Sequence, residues 1–524
     1  MEITSLVFLA FVGLSCLIYY VVPKKIQWCV LLVASLLFYI SSSALLTIYM
    51  LFTTGIVYAG ARVIQKNKDL FSIKKKELSK EERKVFKAKN KKKQKTLVAL
   101  FSISVIAILV FLKYCNFLGG IANTIAGIFT SNNLIPEFSI LLPLGISYYT
   151  LMSVSYIVDV YRGLIVAEKN PFRVLLYVSY FPHIVEGPFD KYKDLDVQFR
   201  TPHKFNYDKF RQGAILVMYG FFKKLVIADE IGLTVPKIFD NANTYSGTAI
   251  VMGTILYTFQ LYMDFSGCID IVSGVSELFG IKIAENFRQP FFSKSINEFW
   301  RRWHITLGLW LKEYIFYPVT LSGHFKKVNQ FVKKHIKNVT ITTFVPAAYS
   351  LFFVWFCNGL WHGASIKYIA YGLYYYVLMM IGELLTPIFE KTKTKLHIRN
   401  ENKLFSLFQI LRTFIIVNIG MLLFRCEGIS QFIGYLLKMI TSINLYEVLS
   451  VFSTKSELLI PLVGFFIVLV VGIIKEKGVD IRLWLVNHIF IIRWLVYLFL
   501  IFTTIVMGIY GVEYGEGAAI YAQF

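Results

Sequence analysis

Two histidines in this 524-residue chain sit among residues suited to moving a proton. His362 stands in NGLWHGAS (Asn358 to Ser365), bracketed by Gly359 and Gly363 and flanked by Asn358, Trp361 and Ser365. An imidazole, with an ordinary pKa of about 6.5, can take a proton from a hydroxyl and return it to a leaving thiolate. On local sequence a core histidine bonded to a neighbouring carbonyl is the other open reading. His304 stands in FWRRWHITLGLW, with Arg301 and Arg302 in the same turn and Trp300, Trp303 and Trp310 close by. Those guanidinium groups either draw in the diphosphate of a coenzyme A thioester or anchor the segment at a membrane interface. Of the remaining histidines, His183 also lies in a motif, YFPHIVEGP. His203, His324, His335, His397 and His488 fall in polar connections or at span edges, where surface roles suffice.

The run YTFQLYMDFSGCIDI (Tyr257 to Ile271) places Gln260, Asp264, Ser266 and Asp270 within a largely apolar stretch. A charge at the centre of a span costs roughly 2.5–3.5 kcal/mol on insertion scales. Two carboxylates there must bond to helix ends or to Arg301, or else line a substrate tunnel with Gln260 and Ser266. In IAENFRQPF, Glu285, Asn286 and Arg288 precede Pro290, so a turn is expected. No HExxH, GxSxG or GxxxxGK occurs, and no metal is expected because Cys and His lack zinc spacing. The six cysteines stand singly inside or beside apolar runs, as structural thiols.

The elements that hold these residues are membrane helices. The chain is 56% hydrophobic and only 17% charged, a balance that a water-soluble surface of this size does not allow. Stretches 4–22, 44–64, 139–158, 342–360, 366–386, 403–424, 457–474 and 490–510 each supply the roughly 20 apolar residues that a span needs. Weaker candidates are 26–40, 97–112, 211–228 and 247–263. The expected fold is therefore all-α, a polytopic transmembrane bundle of about 11 spans plus re-entrant helices, in one domain over 1–524. The 4–22 run lacks a basic leader and a cleavage site, and is expected as a retained first helix.

Charge orients the spans. Between Gln65 and Thr96 fourteen Lys/Arg face four Asp/Glu, which makes 65–96 a basic cytoplasmic loop. The net charge of +23 sits in such loops between apolar runs, a pattern for anionic headgroups, and no nucleic-acid partner is expected. Lysines at 326–337 and 391–395 put both flanks of 340–387 in the cytoplasm, so NGLWHGAS marks the turn of an out-and-back pair. About 19 helical residues climb roughly 28 Å, which sets His362 deep in the bilayer or near its outer boundary. Residues 299–323, with Lys312 and Glu313, are expected as a re-entrant or interfacial helix pair. The tail with Glu513 and Glu516 is expected outside.

FWRRWHITLGLWL followed by NGLWHGAS resembles the paired-histidine signature of the membrane-bound O-acyltransferases. YTFQLYMDFSGCIDI, ENFRQPF, LLPLGISYYT and YFPHIVEGP resemble its bacterial branch of alginate and peptidoglycan O-acetyltransferases and teichoic acid D-alanyl transfer proteins, over about residues 140–365. The resemblance implies spans ringed around a thin centre, with an outer funnel and a cytoplasmic donor entrance. It implies that His362 is catalytic and His304 needed for activity. From the residues themselves, Arg301, Arg302 and Trp303 are expected near the donor and Asn358 and Trp361 in support. Implied, too, are an acyl thioester such as acetyl-CoA as donor substrate with no bound cofactor, and a polysaccharide acceptor. An SGNH-type partner outside a bacterial cytoplasmic membrane completes that implication. The length and the extension after His362 look more like the acetyltransferases, with D-alanyl transfer as the alternative. From other classes, a secondary transporter or flippase would also suit Asp264 and Asp270 in broken helices, and a non-catalytic scaffold would leave all three histidines dispensable.

Overall fold

A computed structural model of the chain describes residues 1–129, 134–399 and 402–510, so the tail carriers Glu513 and Glu516 lie outside the described residues. Among the described residues every regular element is a helix. Eight helices among the described residues are long and apolar enough to cross a bilayer: Lys24–Ser42, Thr47–Glu77, Lys80–Ala126, Val339–His362, Ile366–Lys395, Lys403–Arg425, Lys455–Glu476 and Phe490–Met507. The weaker stretches 26–40 and 97–112 fall within this set. By contrast, 4–22 yields a shorter apolar helix, Leu6–Val21, and 139–158 becomes helical only at Ile146.

These helices wear their apolar side chains outward, as hydrocarbon requires. On Lys403–Arg425, Leu404, Leu407, Phe408, Leu411 and Ile415 are exposed, while Thr413, Val417, Asn418 and Met421 are buried. Backbone bonds close within each helix, so a lipid-facing side needs only apolar side chains. The helix starts follow from capping chemistry: Asn338 accepts from the Ile341 amide, Asn402 from Leu404 and Phe405, and Thr454 from Glu457.

The chain packs as two compact units, one of Met1–Phe210 with Val275–Ala284 and one of Arg211–Gly274 with the described residues from Glu285 onward. In the first, Thr47–Glu77 and Lys80–Ala126 form an antiparallel hairpin whose basic arms span 65–96. Both arms are helical except at Leu78 and Ser79, where Ser79 and Glu82 cap the second reciprocally. Phe71 stacks on Phe86 with ring centroids 5.2 Å apart, and the Gln94 amide donates to Asn67 at 2.9 Å, so the arms run together. Gly145 of LLPLGISYYT has φ 67°, and a Cβ there would strike the Ile184 carbonyl, which ties that motif to YFPHIVEGP.

The second unit carries both signature histidines. Residues 299–323 break into the short helices Ile296–Arg302 and Ile305–Leu311, a π-helical turn Lys312–Phe316, and Tyr317–Thr320. Val339–His362 and Ile366–Lys395 run antiparallel, with Gly363 to Ser365 as the turn. A Cβ on Gly359 would meet backbone of Tyr368 and Ile369, and one on Gly372 would meet backbone of Trp355. The two helices therefore touch at their main chains. A second close crossing joins Tyr207–Phe221 to Gly247–Leu278, where Gly213 and Gly220 lie against Gly274 and Gly267.

Candidate active site

The site begins with an unusual backbone position. His304 links Ile296–Arg302 to Ile305–Leu311 at φ 47°, a left-handed conformation that a side chain of this size rarely takes. The ENFRQPF segment holds it there. The Ile305 amide donates to the Asn286 carbonyl at 3.0 Å, and the Arg288 amide donates to the Arg302 carbonyl at 2.9 Å. From the same side, the Asn286 side-chain oxygen lies 3.1 Å from His304 Nδ1 and accepts from the Thr306 amide at 3.2 Å and its hydroxyl at 2.9 Å. Asn286 is wholly buried. The expected turn is present, yet the residue's larger part is this triple acceptance, which sequence spacing could not reveal.

His362 ends its helix beside Gly363, and its ring is enclosed by aromatic neighbours: Trp361 at 4.9 Å, Phe424 at 5.2 Å and Tyr371 at 5.6 Å between centroids. Trp361 also packs against His304, at 5.4 Å, and so touches both imidazoles. Phe265 meets the other edge of His304 at 4.9 Å. All three polar residues here, His304, Asn358 and His362, are buried. Asn358 and His362 are four residues apart on one helix and hence share a face.

A cavity of about 390 Å³ opens onto this group. Its walls are mostly apolar, with Trp300, Trp355 and several leucines, and its polar lining includes His304, Asn358, Arg301 and Lys312. His362 lies one turn past Asn358, outside the lining.

The other residues singled out in the sequence are placed as follows. Arg301 is exposed at the cavity, its Nε donating to the Asn297 carbonyl at 3.2 Å. Arg302 turns away, held by Glu298 at 2.8 Å and by Glu476 of a spanning helix. Trp303 is buried and stacks on Phe299 at 5.4 Å, among Phe287 and Tyr262. Asp264 pairs with Lys224 at 2.7 Å, and Lys224 reaches Asp229 at the same distance. Lys223 pairs with Asp270 at 2.7 Å and donates to the carbonyl and hydroxyl of Ser266 at 2.9 and 3.0 Å. Gln260 packs against Gly232. The structure thus brings His304, His362, Asn358, Trp361 and Arg301 together, and gives Asp264 and Ser266 to buried lysines. Lys223 and Lys224, in the apolar run FFKKLVIA, were missed. Two cations in such a run need carboxylate partners, and that signal was in the sequence.

His183 lies in the first unit, 3.9 Å from Asp190. Burial lowers its proton affinity to about 3, and burial raises Asp190 from an ordinary 3.8 to about 7. At neutral pH the imidazole is uncharged and no ion pair forms. Between pH 4 and 7 the folded protein binds a proton at Asp190 that the unfolded chain has lost, so the Asp190 contribution to stability falls as pH rises through that window, while that of His183, protonated only in the unfolded chain, rises. Asp190→Asn, which keeps an acceptor for the Ala284 amide, is expected to melt at a higher temperature than the parent at pH 8. The gap should close at pH 4; a gap that widens there would show the carboxylate ionised in the fold.

The fold and the paired histidines define a multi-pass membrane protein with a candidate acyl-transfer centre. Residues 29–424 match the sequence profile of the membrane-bound O-acyltransferase family, and the chain belongs to that family. It is 36% identical over 326 residues to the "Probable alginate O-acetylase AlgI" of Pseudomonas syringae, covering 62% of this chain and 56% of that protein. It is 29% identical over 363 residues to the "Peptidoglycan O-acetyltransferase" of Helicobacter pylori, covering 63% and 62%. With the "Teichoic acid D-alanyltransferase" of Bacillus subtilis it shares 31% over 299 residues, 55% of this chain and 70% of that one. The match spans little more than half the length of the alginate relatives.

Proposed function

We propose that this chain is an O-acyltransferase that takes an acetyl group from a cytoplasmic thioester and passes it across a bacterial cytoplasmic membrane to a hydroxyl of an extracytoplasmic polysaccharide. The single observation that carries the reading is the pairing of His304 and His362 about one indole, with a cavity ending on His304 and Asn358. In the reaction the hydroxyl oxygen forms the new C–O bond as the thioester C–S bond breaks. His362 accepts the hydroxyl proton and returns it to the leaving thiolate. The Asn358 amide, which lines the cavity, would donate to the thioester carbonyl, whose oxygen gains charge in the transition state. An SGNH-type protein outside the membrane would complete delivery to the polymer.

The cavity favours acetyl over D-alanyl. Arg301 and Lys312 line it, and no carboxylate stands among its lining residues to pair with an aminoacyl ammonium. Two cations and apolar walls suit an anionic coenzyme carrying a small neutral acyl group. The test is purified protein in liposomes, with thiol release followed from acetyl-CoA and from a D-alanyl thioester. Acetyl-CoA should be consumed, and Arg301→Glu should raise its KM about tenfold with kcat little changed. Preference for the D-alanyl donor would overturn the acyl assignment. Movement of an intact solute without thiol release would replace the enzyme by a transporter, and indifference of thiol release to all three histidines would leave a scaffold.

A further inference from the structure

An amide oxygen behind an imidazole decides which ring nitrogen carries the hydrogen, and Asn286 stands in that position behind His304. The orientation of its amide is not ambiguous. The Thr306 backbone N–H, which can only donate, lies 3.2 Å from Asn286 Oδ1, so the oxygen and not the NH2 group occupies that corner. The Thr306 hydroxyl lies on the same oxygen at 2.9 Å. An amide oxygen only accepts, and His304 Nδ1, 3.1 Å from it, must therefore donate. A neutral imidazole with hydrogen on Nδ1 keeps its lone pair on Nε2.

We propose that Asn286 is a positioning residue that fixes His304 as its Nδ1–H tautomer, so that Nε2 of this cavity-lining residue is the nitrogen that accepts a hydrogen bond and cannot donate one. The inference rests on the acyl-transfer reading for its consequence in catalysis, but not for the tautomer itself. It divides the donor and acceptor roles at the cavity. Neutral His304 cannot donate from Nε2 to a developing oxyanion, so among His304 and Asn358 that task falls to the Asn358 amide. The left-handed backbone at His304 serves the same end, because it sets the ring over Asn286 rather than along the helix that follows. The other charged or titratable groups around His304 are His362 on Val339–His362, Arg301 on the preceding helix and Lys312 beyond the following one. Asp264, next to Phe265, is held by Lys224.

Three measurements on the full chain test this. In wild-type protein labelled with 15N at histidine, with the His304 signals assigned by their absence in His304→Gln, the shifts should be those of Nδ1–H and bare Nε2. An Nε2–H pattern overturns the proposal whether or not the protein proves to be an acyltransferase. In the acetyl-CoA assay, Asn286→Asp sets a carboxylate behind the ring. It should move the acid limb of the kcat/KM profile about one pH unit or more upward, whereas Thr306→Val should leave that limb in place. Asn286→Ala should lower kcat about tenfold or more at unchanged KM for acetyl-CoA; unmoved pH limbs in Asn286→Asp would reduce Asn286 to a structural bond. Should the wild type consume no acyl thioester, the function proposed above fails, and the 15N pattern still decides the role of Asn286.

Discussion

His362→Ala is expected to lower acetyl transfer by at least about a hundredfold and up to ten-thousandfold, the span that a positioned general base contributes. The ring stands at the end of its helix among Trp361, Tyr371 and Phe424, none of which can take a proton from a hydroxyl near neutral pH. Alanine deletes the ring but leaves the helix end, Gly363 and the aromatic walls in place, so the protein should still insert and elute as the parent does. The measurement is ester formation on polymer, or thiol release with acceptor present, alongside gel filtration of both proteins. Retention of near-normal transfer by a folded variant would remove His362 from the chemistry.

Lys224→Met is expected to be the most damaging single change to stability. Its ammonium lies between Asp264 and Asp229 in the buried interior of the second unit. Removing one partner of a buried pair strands the other, at a cost of about 3–5 kcal/mol. That is a large part of the total stability of an ordinary domain, about 5–15 kcal/mol. Yield and melting temperature in detergent should both collapse. The double variant Lys224→Met with Asp264→Leu no longer strands Asp264 and should recover more than half of the loss, because apolar replacement of both partners is often neutral. A single variant as stable as the parent, or a double variant worse than the single, would show that the pair does not hold the crossing together.

The parts of this fold legible in the sequence are those governed by local composition. Long apolar runs become spanning helices because nothing else closes its own backbone bonds in lipid. The glycine-bracketed NGLWHGAS becomes the turn between two antiparallel helices. His304, His362, Asn358 and Trp361, all from the two signature motifs, come together in the fold. What the sequence hid depends on contacts between distant segments. The carboxylates in YTFQLYMDFSGCIDI were assigned to helix ends, to Arg301 or to a tunnel. Their partners are Lys224 and Lys223, which reach them only because Gly220 and Gly267 let two helices cross closely. Arg301 and Arg302 are adjacent in sequence and equal in chemistry. A hundred degrees of helix rotation separates them, so that one lines the cavity and the other pairs with Glu298 and Glu476. Asn286 had the look of a turn residue, and its three-fold acceptance becomes visible only once Thr306 and His304 are seen on the same side of it.

The main-chain contact at Gly359 and Gly372 limits how this centre can move. Helices that meet through side chains can slide by trading rotamers, whereas two that meet backbone to backbone are locked in register like teeth on a rack. The same contact therefore resists any sliding of Asn358 and His362 along the neighbouring helix. Trp361, whose ring meets both imidazoles, is carried near the end of that same helix, two residues past Gly359.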